Sequence, residues 1–375
     1  MRIGVMLRAL DEHGGIGVYC RNLVRELVER DRTNEYVLFY KTEKNIGAFG
    51  KFDNVTERLA TCSSKAVWDQ FLIPWLCYRE RIDLIFHPKF TVPLLAPCKA
   101  VMTVHGADWF FPEQAQYYRW LDVRYIRVFM PLYFRKASAV ISVSHLTTEN
   151  FNQALGLTGD KVRTIYFAPA KHFGRVSDER RLREVRDRYA LPERFILTLA
   201  RLDSAARKNF LHLVQGYRRY HQETEAPLGL VIGGKDCDRL IAQFGLPADG
   251  YGADLSFPGW IAQEDLPAVY TLASMFLYPS NLEAFPIPIT EAMTCGTPII
   301  TSNVNGLQEI AAEAALYVDP SDPAAIARAI SRLAGDDALR DQLSAKGLAR
   351  ARCFSWPKCA RETLRLLESV GREDA

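Results

Sequence analysis

The sequence predicts an α/β fold of two doubly wound parallel-sheet domains, and three observations predict it. Short runs of β-branched and aromatic residues alternate with longer stretches of helical periodicity along the whole chain. The alternation breaks once, in an irregular and highly charged stretch from Phe167 to Glu193 that holds Ala168-Pro169-Ala170, Arg180-Arg181 and Leu191-Pro192. At 375 residues the chain is too long for one core and suits two.

The first series of strands reads Ile3 to Leu7, Tyr36 to Tyr40, Ile82 to Phe86, Ala100 to Val104, Ala139 to Val143 and Val162 to Tyr166. The second reads Phe195 to Leu199, Leu228 to Ile232, Leu255 to Phe257, Met275 to Tyr278, Pro298 to Thr301 and Leu316 to Val318. Continuous apolar strands of this kind, separated by helices, belong to parallel sheets covered on both faces. With a linker near 168 to 192, the domains are residues 1–170 and 171–354. A final helix, roughly Pro357 to Glu368, fits either domain on pattern alone. Ligands of such sheets collect outside the carboxyl ends of the strands, so two facing sheets would bind between domains.

Composition narrows the function. Apolar residues make up 48% and charged residues 24%, the balance of a folded protein and not of a disordered one. A net charge of +3 is too small over this length to coat nucleic acid, so no nucleic-acid partner is expected. Eight scattered cysteines without a Cys-x-x-Cys pair read as reduced, mostly buried thiols. The chain opens directly on a strand and no stretch reaches eighteen uninterrupted apolar residues, so neither secretion nor a membrane span is expected and cytoplasm is the default.

Several segments carry chemistry. Gly14-Gly15-Ile16-Gly17 follows the first strand and opens a helix, where bare amides and the positive helix end suit an anion; a tight turn without ligand is the plainer reading. A dinucleotide fingerprint fails because its third glycine position is Cys20. Gly229 through Lys235 matches Gly-x-x-x-x-Gly-Lys formally, yet Asp236 follows and Leu230-Val231-Ile232 reads as strand, so the match is chance. Arg201, Arg207 and Lys208 follow the first strand of the second domain; they form either a diphosphate clamp or a solvated charge run. Glu283 and Glu291 lie eight positions apart, the first in a Pro-rich loop and the second in the opening turn of a short helix. His105 sits at a carboxyl strand end, as a functional or a capping side chain. The stretch Tyr117 to Lys136 mixes aromatics with five cations and one acid, which suits either a helix resting on anionic lipid or packing on the first sheet.

The Glu-x₇-Glu pair, the Glu291-Ala292-Met293-x-x-Gly296-x-Pro298 run, Gly14 to Gly17 and Arg207-Lys208-Asn209 together resemble family 4 of the retaining glycosyltransferases (glycosyl transferases group 1). Phe257-Pro258-Gly259-Trp260, Leu266 to Tyr270, Val104-His105 and Val143-Ser144 fall in the family's order, so the resemblance spans nearly the whole chain. One departure is Glu283-Ala284-Phe285-Pro286 where many members carry Glu-Gly-Phe-Gly; proline removes a backbone donor there. The Arg201-to-Lys208 interval is slightly long, which makes Arg207 a competitor for either role.

The resemblance implies the GT-B architecture: two facing Rossmann-like domains with an interdomain cleft, the first binding acceptor and the second the nucleotide sugar, with residues 355–375 crossing back onto the first. It implies retaining transfer from a nucleotide-diphosphate sugar to a hydroxyl of a glycan, a lipid-linked acceptor or a small metabolite. Segments such as Phe86-His87-Pro88 and Phe111-Pro112 resemble bacterial mannosyltransferases, which points to mannose, with GDP- and UDP-linked donors both open. Glu283, His105, Arg201 and Lys208 would be catalytic. Gly15, Gly17, Arg207, Gly259, Trp260, Phe285, Pro286, Ile287 and Glu291 would bind the donor, Glu291 through the ribose hydroxyls. Fixed cations suffice to meet the charge of a departing diphosphate, no Asp-x-Asp pair sits after a strand in the expected place, and no His/Cys cluster has metal-ligand spacing, so neither cofactor nor metal is expected. The expected setting is cytoplasmic polysaccharide synthesis, with peripheral membrane contact through 117–136. Rival readings are a UDP-sugar epimerase of the same architecture and a nucleotide-sugar sensor without turnover.

Overall fold

A computed structural model describes residues 1–12, 14–157, 160–244, 254–304 and 306–372. The chain divides into two compact units, Met1–Ala168 with Phe354–Ala375, and Pro169–Cys353. Of the expected crossing segment 355–375, the last three residues lie outside the described ones.

The first unit is a seven-stranded sheet: β1 (Arg2–Met6), β2 (Glu35–Tyr40), β3 (Val55–Leu59), β4 (Leu84–His87), β5 (Lys99–Val104), β6 (Ala139–Ser142) and β7 (Val162–Thr164). They run in the order β3-β2-β1-β4-β5-β6-β7, every pair parallel. Six of the seven lie within two residues of the expected runs. Val162–Thr164 is shorter than expected, and β3 has no counterpart among them: Val-Thr-Glu-Arg-Leu is a half-buried edge strand whose polar residues hide it from a search for apolar runs. One face of the sheet carries the helices Gly15–Arg30 and Trp356–Arg372, which pack on each other. The second of these is tied down by Lys99 Nζ donating to Val370 O (2.8 Å) and by Asn34 Nδ2 donating to Glu368 Oε1 (3.2 Å). The opposite face buries Met6, Phe39, Ile85 and Met102 against Trp68 and Ile73 of one helical run and Phe134 of another.

The second unit is a six-stranded sheet: β8 (Phe195–Leu199), β9 (Gly229–Gly233), β10 (Leu255–Gly259), β11 (Met275–Tyr278), β12 (Ile299–Ser302) and β13 (Ala315–Val318), in the order β10-β9-β8-β11-β12-β13, again all parallel. Gly229–Gly233 is a buried strand, so the formal phosphate-loop match is indeed a coincidence. The charged stretch expected to be irregular contains a helix, Glu179–Arg188. Asp178 caps it by accepting from the amides of Arg180 (2.9 Å) and Arg181 (3.3 Å). Its apolar stripe is only Leu182 and Val185, too thin to read from sequence, and its anchor is ionic: Arg181, Arg188 (2.8 Å) and the Tyr189 hydroxyl (2.8 Å) converge on the fully buried Asp265. Those three partners hold the Asp265 carboxyl below its ordinary range despite the opposing effect of burial.

In each unit the strand order reverses at one place, between β1 and β4 in the first and between β8 and β11 in the second. In doubly wound sheets the carboxyl ends of the strands at that reversal diverge and leave a crevice for ligand.

Candidate active site

In the second unit the loops leaving β8 and β11 carry most of the residues singled out from sequence. Leu197 and Phe276 are direct neighbours in the sheet, so both chains exit on the same edge. Their loops are stitched together: the Asn281 amide donates to Arg207 O (3.0 Å), and Arg207 Nη1 donates to Leu282 O (2.6 Å). The same guanidinium reaches Glu283 Oε1 at 3.0 Å, and the Tyr278 hydroxyl donates to that oxygen at 2.6 Å. Glu283 is therefore held across the strand reversal by a cation from one loop and a phenol from the other. Lys208 Nζ stands 5.5 Å from the centroid of the Tyr278 ring, in cation–π range. Burial lowers the Lys208 ammonium from its ordinary range; Glu283 opposes this, while Arg207 and Arg201 push it further down. Arg201 is half-exposed and pairs with Asp203 at 2.6 Å.

Glu291 lies on the helix Ile287–Cys295, at its fifth residue and thus just past the opening turn where the sequence reading set it. It is buried, and its Oε2 accepts from the Tyr270 hydroxyl at 3.0 Å. Burial pushes its carboxyl up to about 7, against the opposing pull of Tyr270 and Lys208. The helix starts at Pro286 without a side-chain cap and ends at Gly296, whose left-handed φ of 75° closes it. Pro286 and Pro288 bring no N–H, so Ile287 supplies the only backbone donor between 286 and 288. Phe285 is buried just before it. The Glu283 loop is fixed from below by the Gly306 amide, which donates to Glu283 O at 3.0 Å.

Gly259 ends β10 at φ 73°, and Trp260 beside it is exposed. The Gly259 carbonyl accepts from the amide of Gly234 (2.8 Å), a residue at φ 143° on which any Cβ would overlap the carbonyl oxygen of Ala200. The backbone at the ends of β8, β9 and β10 is thus pressed together where only glycine fits. Tyr270 and Tyr278, which position the two glutamates, were not singled out from sequence. Their only signal is location, Tyr278 ending the strand before the glutamate loop and Tyr270 closing the Leu266-Pro267-Ala268-Val269 segment.

The remaining sequence candidates belong to the first unit. Gly15 and Gly17 open the helix Gly15–Arg30 behind an uncapped Gly14, and Gly17 lies so close to Glu12 O that a side chain there would overlap it. His105 follows β5. Its Nε2 is 3.1 Å from Pro88 O, a carbonyl that can only accept, so Nε2 carries the proton and Nδ1 is left as acceptor. Burial lowers this imidazole to about 4, which keeps it neutral at physiological pH. Sequence reasoning missed a buried polar network near it. Arg8 donates to both Asp69 oxygens (2.8 and 2.9 Å) and to Thr91 Oγ1 (3.2 Å), and His87 Nδ1 contacts Thr91 O at 2.7 Å. Lys89 pairs with Glu12 beside it. Among the described residues no group of three or more His, Cys, Asp or Glu is arranged to hold a metal ion.

Comparison with known proteins gives this geometry a family. A model for glycosyl transferases group 1 matches residues 183–350, and one for Glycosyltransferase Family 4 matches residues 13–167. The chain is 31% identical over 294 residues to O-antigen chain mannosyltransferase B of Escherichia coli, covering 76% of this chain and 74% of that protein. It is 29% identical over 250 residues to the serotype-specific mannosyltransferase WbdA of Escherichia coli, covering 64% of this chain and only 30% of WbdA. Among solved structures, Anabaena HepE in complex with UDP-glucose is similar at a TM-score of 0.74 and 17% identity, over 98% of this chain and 100% of that one. The fold class is GT-B, and the chain is a glycosyltransferase that belongs to family 4.

Proposed function

We propose that this enzyme transfers a mannosyl residue from a nucleoside-diphosphate sugar to a hydroxyl of a glycan acceptor, with retention of configuration and without a metal ion. The observation that carries the reading is the Arg207–Glu283 contact across the strand reversal of the second unit, with Lys208 and Arg201 beside it. A diphosphate leaving group gains negative charge as its bond to the anomeric carbon breaks, and fixed cations stabilise that charge. Arg207, Lys208 and Arg201 supply them from one short loop.

Glu291 would accept hydrogen bonds from the ribose hydroxyls, two oxygens meeting two vicinal donors. Glu283, immobilised by Arg207 and Tyr278, would orient the donor sugar and favour its oxocarbenium character. His105 would accept from a sugar hydroxyl through Nδ1, and the amides at Gly15 and Gly17 would face donor phosphate. Gly259, Trp260, Phe285, Pro286 and Ile287 would line the donor subsite. The acceptor oxygen attacks the face from which the diphosphate leaves, and its proton passes to the departing phosphate oxygen.

The mannosyl donor is supported by the names of the Escherichia coli relatives, and the nucleoside diphosphate by the ligand of HepE. The relative named for O-antigen chains supports a glycan acceptor, and the reading sets the reaction in the cytoplasm at the inner face of the membrane. No described helix is long and apolar enough to cross a membrane.

The test is a panel of GDP-mannose, UDP-glucose and UDP-N-acetylglucosamine with and without candidate glycan acceptors, read by nucleoside diphosphate release and by the anomeric configuration of the product. Release from GDP-mannose that accelerates with acceptor, gives an α-linked product and persists in chelator is expected. Sugar interconversion without acceptor, or tight binding without turnover, overturns the reading.

A further inference from the structure

The basic loop of the second unit takes its shape from a residue that carries no charge. Asn209, directly after Lys208, lies in the left-handed region at φ 58° and ψ 38°. Two bonds close the turn on which it sits: the Phe210 amide donates to Ala205 O and the Asn209 amide to Ala206 O, both at 3.0 Å. This paired closure ends a helical turn on one left-handed residue, and glycine meets that backbone at no steric cost. What asparagine adds over glycine here is its side-chain amide.

Both ends of that amide are engaged. Asn209 is buried; its Nδ2 donates to Pro320 O at 2.6 Å, and its Oδ1 accepts from His212 Nδ1 at 2.7 Å. A carbonyl can only accept, so the Pro320 contact fixes which way the amide points and leaves His212 Nδ1 as the protonated nitrogen. Pro320 belongs to the loop after β13, three places along the sheet from β8. That loop is itself fixed, since Asp319 Oδ1 accepts from the Ser321 amide (2.8 Å) and the Ser321 hydroxyl (2.6 Å).

Arg207 is held from another side. Its carbonyl accepts from the Asn281 amide at 3.0 Å and from the fully buried Ser280 hydroxyl at 3.3 Å, both in the loop after β11. Lys208 therefore sits between two main-chain anchors, one on the β11 loop through Arg207 and one on the β13 loop through Asn209. A fixed cation stabilises developing charge without reorganising at the moment of reaction, which a freely moving one must do.

We propose that Asn209 is a positioning residue for sugar transfer: its amide ties the basic loop to the loop after β13, which sets the direction in which Arg207 and Lys208 leave the main chain and so places both cations against the departing diphosphate. The identity of that leaving group rests on the glycosyl-transfer reading. The tie itself does not.

The test separates positioning from stability. Asn209→Gly keeps the left-handed backbone available and removes both side-chain bonds. The probes are GDP with GDP-mannose and UDP with UDP-glucose, and the pair that wild type binds is carried forward. Above pH 7 the free nucleoside diphosphate carries about one more negative charge than its sugar ester, on the oxygen that the sugar leaves. Its affinity therefore reports how the cations meet the charge that transfer creates. Asn209→Gly is expected to lower kcat and nucleoside diphosphate affinity by about tenfold each, with the donor KM within about threefold. In a Lys208→Ala background the same exchange should change both by no more than about threefold, because the main group it positions is gone. An equal loss in the two backgrounds marks a merely structural role and overturns the proposal, as does wild-type kcat and affinity in Asn209→Gly. Should Asn209→Gly not fold, His212→Ala decides, since it removes only the bond to Oδ1: about a threefold loss of nucleoside diphosphate affinity is expected, and none overturns the proposal. A wild type that binds nucleoside diphosphate and turns over no nucleotide sugar would count against the glycosyl-transfer reading alone, because the affinity comparison still reads the tie. Binding of neither nucleotide overturns both.

Discussion

Proton-linked donor binding is the sharpest consequence of the Glu291 environment. Burial pushes this carboxyl up to about 7. Only the carboxylate accepts from both ribose hydroxyls, so the unliganded protein is binding-competent in proportion to its ionised fraction. That fraction rises from about 0.1 at pH 6 to about 0.9 at pH 8, and the apparent Kd should therefore fall about tenfold across the interval. Binding below pH 7 must release a proton. Tyr270→Phe removes the hydroxyl that donates to the carboxylate. A hydrogen bond to a charged group contributes about 1.5–3 kcal/mol, so the midpoint should climb by about one to two pH units. Glu291→Gln should abolish the slope and weaken binding at pH 8 by roughly 10- to 150-fold. The assay is calorimetric titration with an intact nucleotide sugar and no acceptor, because a diphosphate esterified at both ends does not titrate in this window. Buffers of different ionisation enthalpy count the released proton. A pH-independent Kd in the wild type, or a slope that survives in Glu291→Gln, would refute the reasoning.

The other predictions concern the catalytic pair and the scaffold. Glu283→Ala should lower kcat by about 100-fold while the donor KM stays within a few-fold, and steady-state kinetics showing the reverse split would reassign the residue. Gly234→Ala must force a Cβ onto the Ala200 carbonyl at φ 143°, so thermal unfolding should report a loss of about 3 kcal/mol or more. Asp265→Asn removes the charge that anchors Arg181, Arg188 and Tyr189, and should cost about 2–4 kcal/mol with faster hydrogen exchange confined at first to Glu179–Arg188.

What the sequence revealed follows from how each element is buried. Phe195–Leu199 and Met275–Tyr278, the two strands flanking the reversal in the second unit, were legible to the residue because they are apolar on both faces. Val55–Leu59 and Glu179–Arg188 were not, since one is an edge strand and the other is held by arginines instead of an apolar stripe. At the site, the Glu283–Glu291 spacing and the neighbouring cations were visible as a pattern. Which cation meets Glu283 was not, because the contact to Arg207 depends on two strands far apart in sequence, with Leu197 paired to Phe276, being adjacent in the sheet. The tyrosines escaped for the same reason: a phenol's partner is chosen by packing.

Two prolines at the start of the helix Ile287–Cys295 remove two of the four main-chain amides that an ordinary helix start leaves unbonded, and a third, that of Ile289, already donates to Pro286 O. Whatever holds an anion at that end must then come from long, replaceable side chains. Amides persist through any substitution except proline, whereas Arg201, Arg207 and Lys208 can each be exchanged by a single codon change. Donor preference on this scaffold can accordingly drift by altering the basic loop, with the helix itself left unrebuilt.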